Sequence, residues 1–232
     1  MSNEEIIKLV ITSVFLLAGA TYIINHLLIK NKRGRVTTKF ITRTAIFAAL
    51  STILYITPFL KFHLPFFPGF LEIHLDEIPL LIAGFAYGPW CGIFALAIKT
   101  IIKLPLTSTM CVGELADFIY SLFFILPSAL FYKKHRNFKG ALLALSIGTI
   151  SQIIAASFIT TFLILDFYMV VMHLPEVVIL NMVQKAGINI TSLSWPFLYS
   201  VGIPFNAFKD IIVVLLTLLL YKRFKILIEK IS

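Results

Sequence analysis

Apolar segments able to cross the ~30 Å hydrocarbon layer of a bilayer recur along nearly all of this 232-residue chain, and they restrict its fold more than any other feature. They read as helices over 6–29, 38–57, 112–132, 140–165 and 204–221, with shorter ones over 80–86 and 90–104. A closed barrel would need alternating segments of ~10 residues, and none is present. At 59% hydrophobic and 13% charged residues, the chain leaves no stretch for a soluble domain. The expected fold class is therefore an all-α integral membrane protein.

The net charge of +9 is concentrated in three runs, 30–43, 133–139 and 222–230. All three flank apolar segments, which marks cytoplasmic ends rather than a nucleic-acid surface. The resulting topology has seven spans, with the N-terminus outside and the C-terminus inside. Residues 6–29 follow Glu4 and Glu5 and precede a basic run, the reverse of a secretory leader. Residues 1–34 are accordingly expected to form an additional N-terminal transmembrane helix with a basic linker, and 35–232 the bundle. Cys91 and Cys111 fall on opposite membrane sides, which implies no disulfide, and neither has metal-ligand spacing.

Within 70–121 the chain places Glu72, Asp76, Glu77, Lys99, Lys103, Glu114 and Asp117 in or beside apolar segments, where an unpaired charge is costly. Pro79, Gly84, Gly88, Pro89, Gly92, Pro105 and Gly113 keep the helices there short, so the stretch reads as half of a solute pocket. The proline-broken aromatic loop 59–73 would lie outside at its mouth. Asp76 reads as an N-cap with Pro79 in the first turn. Glu72, His74 and Asp76 alternate as cation ligands would, but no second ligand cluster accompanies them, and no metal is assigned. The connection 166–203 is too long for a turn, and its helix over 175–186, stopped by Gly187, is expected to lie over the outer surface as a lid.

Glu114 and Asp117 share a helix face at i and i+3, as do Asn206 and Lys209. Lys209, or Lys99, is the expected counter-charge to Glu114 or Asp117. On 38–57, Thr38, Thr42, Ala45, Ala49 and Thr52 form a strip of small side chains, suited to docking or to an internal helix contact. There is no reactive-serine motif, H-E-x-x-H or P-loop, so no catalytic residue and no cofactor is assigned. A membrane enzyme is the rival reading.

Several motifs resemble one family. The run Leu75-Asp76-Glu77-Ile78-Pro79, the Gly88-Pro89 turn, Lys99, Gly113-Glu114-Leu115-Ala116-Asp117-Phe118 and Pro204-Phe205-Asn206-Ala207-Phe208-Lys209 are similar to the S components of energy-coupling factor transporters, most of all to the riboflavin-specific branch. The resemblance implies a six-helix S-component bundle, to which the first helix is an addition, in a prokaryotic cytoplasmic membrane. It implies a vitamin ligand, riboflavin or another heteroaromatic of pterin/folate or thiamin-precursor type, held by Leu75, Asp76, Lys99, Glu114, Asp117, Asp166, Asn206 and Lys209. It further implies docking through Ala45 and Ala49 on a transmembrane coupling subunit that carries two ATPases. Asp117 and Asp166 stand where the family pattern has Asn.

Overall fold

The computed structural model describes residues 37–107 and 109–229. The expected helix over 6–29, with the division at 34, lies outside the described residues. Among the described residues are helices α1 (Thr38–Ile56), α2 (Glu77–Tyr87), α3 (Pro89–Lys103), α4 (Val112–Lys134), α5 (Phe138–Val170), α6 (Glu176–Lys185) and α7, built of Trp195–Phe197, Leu198–Gly202 and Ile203–Glu229. Five of these, α1, α3, α4, α5 and α7, are long and apolar enough to cross a membrane, and α2 is a shorter apolar helix. The only β-pairing among the described residues is an isolated bridge between Phe62 and Ile73, which pins the long loop before α2.

Local chemistry sets the helix ends. Thr37 Oγ1 accepts from Phe40 N at 3.2 Å to cap α1, and Asn137 Oδ1 accepts from Gly140 N at 2.6 Å to cap α5. Gly88, at φ 97°, reverses the chain, and Pro89 begins α3 with the φ that helix needs. The α2–α3 hairpin closes so tightly that a Cβ on Gly92 would lie 2.9 Å from Leu80 O and 3.3 Å from Gly84 Cα.

At one end of the bundle, Phe85 stacks on Tyr132 and Tyr132 shares a 2.7 Å hydrogen bond with Tyr221, while Arg43 lies 4.5 Å from the Tyr87 ring centre. These contacts gather the start of α1, the α2–α3 turn, the α4–α5 turn and the far part of α7. Lys133, Lys134, Arg136, Lys139 and Arg223 are exposed there, in keeping with the basic cytoplasmic flanks read from sequence. The main apolar core, around Leu80, Leu81, Leu96, Phe124, Ile125, Leu145 and Val213, fills the middle. A second apolar cluster, of Leu165, Ile179, Val183, Ile190, Leu193, Phe197 and Val201, lies toward the opposite end.

Candidate functional site

Between the two clusters lies a cavity of about 440 Å³. Such a volume falls within the ~300–1,000 Å³ usual for small-molecule sites. Two π-turns shape its wall. In α5, residues Thr160–Ile164 close with Leu165 N donating to Thr160 O, and in α7, Leu198–Gly202 close with Ile203 N donating to Leu198 O. A π-turn adds a residue to a helix and rotates everything after it by roughly 100°. Thr160, Ile164, Leu165 and Tyr168 from α5, and Gly202, Phe205, Asn206 and Lys209 from α7, all line the cavity.

The charged groups beneath form a triad and a separate pair. Lys99 is wholly buried and donates to Asp76 at 2.5 Å and to Asp117 at 2.7 Å, with the Tyr55 ring centre 4.4 Å from its ammonium. Lys209 donates to Glu77 Oε1 at 3.0 Å, and the same oxygen accepts from Gln152 Nε2 at 2.7 Å and Ser121 Oγ at 3.0 Å. Glu114 Oε2 accepts from the Thr107 and Thr109 hydroxyls at 2.7 and 3.0 Å. Asn206 Nδ2 donates to Gly202 O at 2.8 Å and Ser157 Oγ at 3.2 Å, which fixes its amide and leaves Oδ1 without a protein partner among the described residues.

At the mouth, Glu72 takes Lys61 at 2.7 Å, His74 Nε2 at 3.1 Å and His63 Nε2 at 3.4 Å. Partial burial pushes the Glu72 carboxyl up, but the Lys61 hydrogen bond and charge outweigh it and hold Glu72 below its ordinary value. His74 is held down by burial, against the upward pull of Asp76 and Asp117. Its ring is therefore neutral at pH 7, and because a carboxylate only accepts, Nε2 carries the proton.

The roof is α6. Ile179 and Met182 line the cavity, while the buried faces of Ile179 and Val183 pack into the second apolar cluster. Phe70 from the long loop stacks on Phe197 at 6.5 Å, and Phe67 meets Phe205 edge-on at 5.3 Å.

Of the sequence-expected ligand residues, Glu114, Asp117, Asn206 and Lys209 line the cavity. Asp76 and Lys99 lie beneath its wall as a buried ion pair, and Leu75 packs against the main core. Asp166 is exposed and off the cavity, because the π-turn before it brings Leu165 to the lining in its place. Asp76 does occupy the N-cap position of α2, but its side chain makes no capping bond and goes to Lys99. That also takes it out of any cation cluster with Glu72 and His74, and among the described residues no group of three metal-ligating side chains forms. Of the two expected counter-charges, Lys99 does pair with Asp117, whereas Lys209 pairs with Glu77 rather than with Glu114 or Asp117, and Glu114 is held by two threonine hydroxyls instead. Thr38, Thr42, Ala45 and Ala49 are exposed along α1, whereas Thr52 turns inward and donates to Ala48 O. Lys61 lines the cavity from the loop 59–73 expected at its mouth, whereas sequence reasoning missed Tyr55, Thr109, Tyr120 and Thr160 as lining groups. Only the proximity of Tyr55 to the aromatic loop hinted at one of them.

Residues 39–221 match the model of the family described as ECF transporter, substrate-specific component. Over 195 residues the chain is 30% identical to the riboflavin transporter FmnP of Bacillus subtilis (strain 168), covering 82% of this chain and 95% of that one. It is 29% identical over 182 residues to the riboflavin transporter RibU of Staphylococcus aureus (strain TCH60), covering 78% and 89%. A solved chain described as the S component of a bacterial ECF transporter superposes with a TM-score of 0.61 at 26% identity, covering 81% of this chain and 95% of that chain.

Proposed function

Because this chain belongs to the family of substrate-specific components of energy-coupling factor (ECF) transporters, we propose that it captures riboflavin or a related flavin at the outer face of a prokaryotic cytoplasmic membrane. It is a multi-pass membrane protein and a transporter's binding subunit, not an enzyme. The observation that carries the ligand reading is the roofed, aromatic-walled cavity in a chain 30% identical to a riboflavin transporter. A flavin ring presents one N–H between two carbonyl oxygens. Asp117 offers an acceptor for the N–H, and Lys209 and the buried polar groups beside it offer donors for a carbonyl. Glu114, which only accepts, suits a hydroxyl of the ribityl chain.

Transport then requires a transmembrane coupling subunit and two ATPase subunits. The exposed small-residue strip at Ala45 and Ala49 is the proposed docking face, since small side chains let a partner helix approach closely.

One observation favours a second ligand class. Asp117 is held by Lys99 as an acceptor-only carboxylate, which suits a ring edge carrying an amino group, as in a pterin. The absorption spectrum of the purified protein tests the first reading: a co-purified flavin absorbs in the visible, and added riboflavin should lose fluorescence at stoichiometric binding. A colourless protein that leaves riboflavin fluorescence unchanged while binding a pterin would replace the flavin reading with the second.

A further inference from the structure

Below the cavity the buried charges do not balance. Glu77, Gln152 and Asp210 are each 0% exposed. Glu77 receives all three of its hydrogen bonds on Oε1. Glu77 Oε2, Gln152 Oε1 and both Asp210 oxygens have no hydrogen-bond partner among the described residues. Asp210 lies on the inward face of α7 together with Val213, Thr217 and Tyr221, all buried, so it does not reach lipid headgroups or water by rotating outward.

Ionised together, Glu77 and Asp210 carry two negative charges against the single positive charge of Lys209. Among the described residues, the charged groups near enough to act on Asp210 are Lys209, on its own helix, and Glu77, from α2. The hydrogen bonds that α4 and α5 bring to Glu77 come from neutral groups, Ser121 and Gln152, and the further charges acting on it, Asp76 before α2 and Asp117 on α4, are negative and already share Lys99. These four bare oxygens all accept and none donates, and an uncompensated carboxylate in a membrane interior is strongly disfavoured. What is missing is one unit of positive charge.

We infer that the folded protein takes up one monovalent positive charge, a proton or an alkali cation, at Asp210 and the bare oxygens of Glu77 and Gln152. Either ion answers the same need, because carboxylate and amide oxygens accept a proton-borne hydrogen bond and also ligate a hard cation. The site is tied to the cavity through Lys209, which lines the cavity while holding Glu77. A ligand acceptor that draws on this ammonium weakens its hold on Glu77 and increases the demand for the compensating ion. That link rests on the proposed ligand reading, whereas the uptake itself does not.

Thermal unfolding of the ligand-free full chain in detergent tests the uptake, at pH 5.5 to 9, in sodium chloride and in N-methylglucamine chloride of equal strength. Asp210→Asn removes the charge at constant shape and should fold. A proton held by the folded state and released by the unfolded one makes stability fall as pH rises, so the parent should lose melting temperature relative to Asp210→Asn in both salts. An alkali cation predicts instead that sodium raises the parent's melting temperature at fixed pH and leaves that of Asp210→Asn unchanged. Glu77→Gln, with one carboxylate left for one ammonium, should lose either dependence. Parallel curves for parent and Asp210→Asn in pH and in sodium, or a dependence that survives in Glu77→Gln, would overturn the inference. Since no ligand is present, failure to bind riboflavin has no bearing on the result.

Discussion

Lys209 donates to Glu77 Oε1 at 3.0 Å, joining α7 to the first turn of α2 across 132 positions of sequence. The ammonium is exposed only toward the cavity, so it serves packing and ligand at once. Lys209→Met should cost ~3–5 kcal/mol, because Glu77 is left buried without its cation. Adding Glu77→Gln should restore most of the melting temperature and none of the riboflavin affinity. A double variant that recovers both would confine Lys209 to packing.

Asp117 should set ligand preference. Asp117→Asn replaces an acceptor by a donor and an acceptor, so riboflavin should bind at least as tightly, and an amino-bearing pterin more weakly. Because Lys99 already compensates the carboxylate, the pH dependence of affinity between pH 5 and 9 should be the same in the parent and in Asp117→Asn. Asp166→Asn, off the cavity, should match the parent for both ligands. Titrations of all three proteins decide the matter, and parental affinity of Asp117→Asn for the pterin as well as for riboflavin would remove Asp117 from the ligand contacts.

Ala45→Leu and Ala49→Leu put bulk on an exposed strip that does not line the cavity. Uptake by the assembled transporter should fall severely while riboflavin binding by the isolated chain stays at the parental level. Uptake at the parental rate in both variants would reassign the strip to lipid.

The mouth should make the fold acid-sensitive. Glu72 is held below its ordinary value, so the stability it contributes is present above the unfolded carboxyl's pKa of ~4.3 and is lost as pH falls through its folded pKa. His74 is also held down. Below ~6.5 the unfolded chain therefore takes up a proton that the folded chain refuses, and stability falls again toward acid. Melting temperature should drop from pH 7 to pH 5, and His74→Gln should lessen the drop. A drop of the same size in His74→Gln would place the titrating group elsewhere.

The helices of the bundle were legible because each is apolar, all but α2 are long, and local signals close them: the Gly88-Pro89 turn and the basic runs. The roof helix α6 is short, and was legible from its start after Pro175 and its stop at Gly187. Partners were harder. Expected pairs came from helix faces at i and i+3, which gives Asp117 a lysine but says nothing of how α2 and α7 approach, and so the Lys209–Glu77 pair went unread. Asp166 misled because a π-turn leaves no mark in sequence, yet it shifts every later side chain around the helix. Tyr120, whose hydroxyl meets Thr160 at 2.8 Å, gave no signal beyond being one aromatic among many.

The two apolar clusters also bear on time. Local opening draws on the contacts of the part that opens, not on those of the whole fold. The roof is held by its own cluster around Ile179, Val183 and Phe197, apart from the core that holds the bundle. A trapped solute can then leave at the rate at which the roof lifts, with the helices below undisturbed, and the backbone amides of 176–194 should exchange with solvent far sooner than those of α4. If the two exchange together, capture and release are movements of the entire bundle. If they part, residence time can be tuned in the roof while stability is kept in the core.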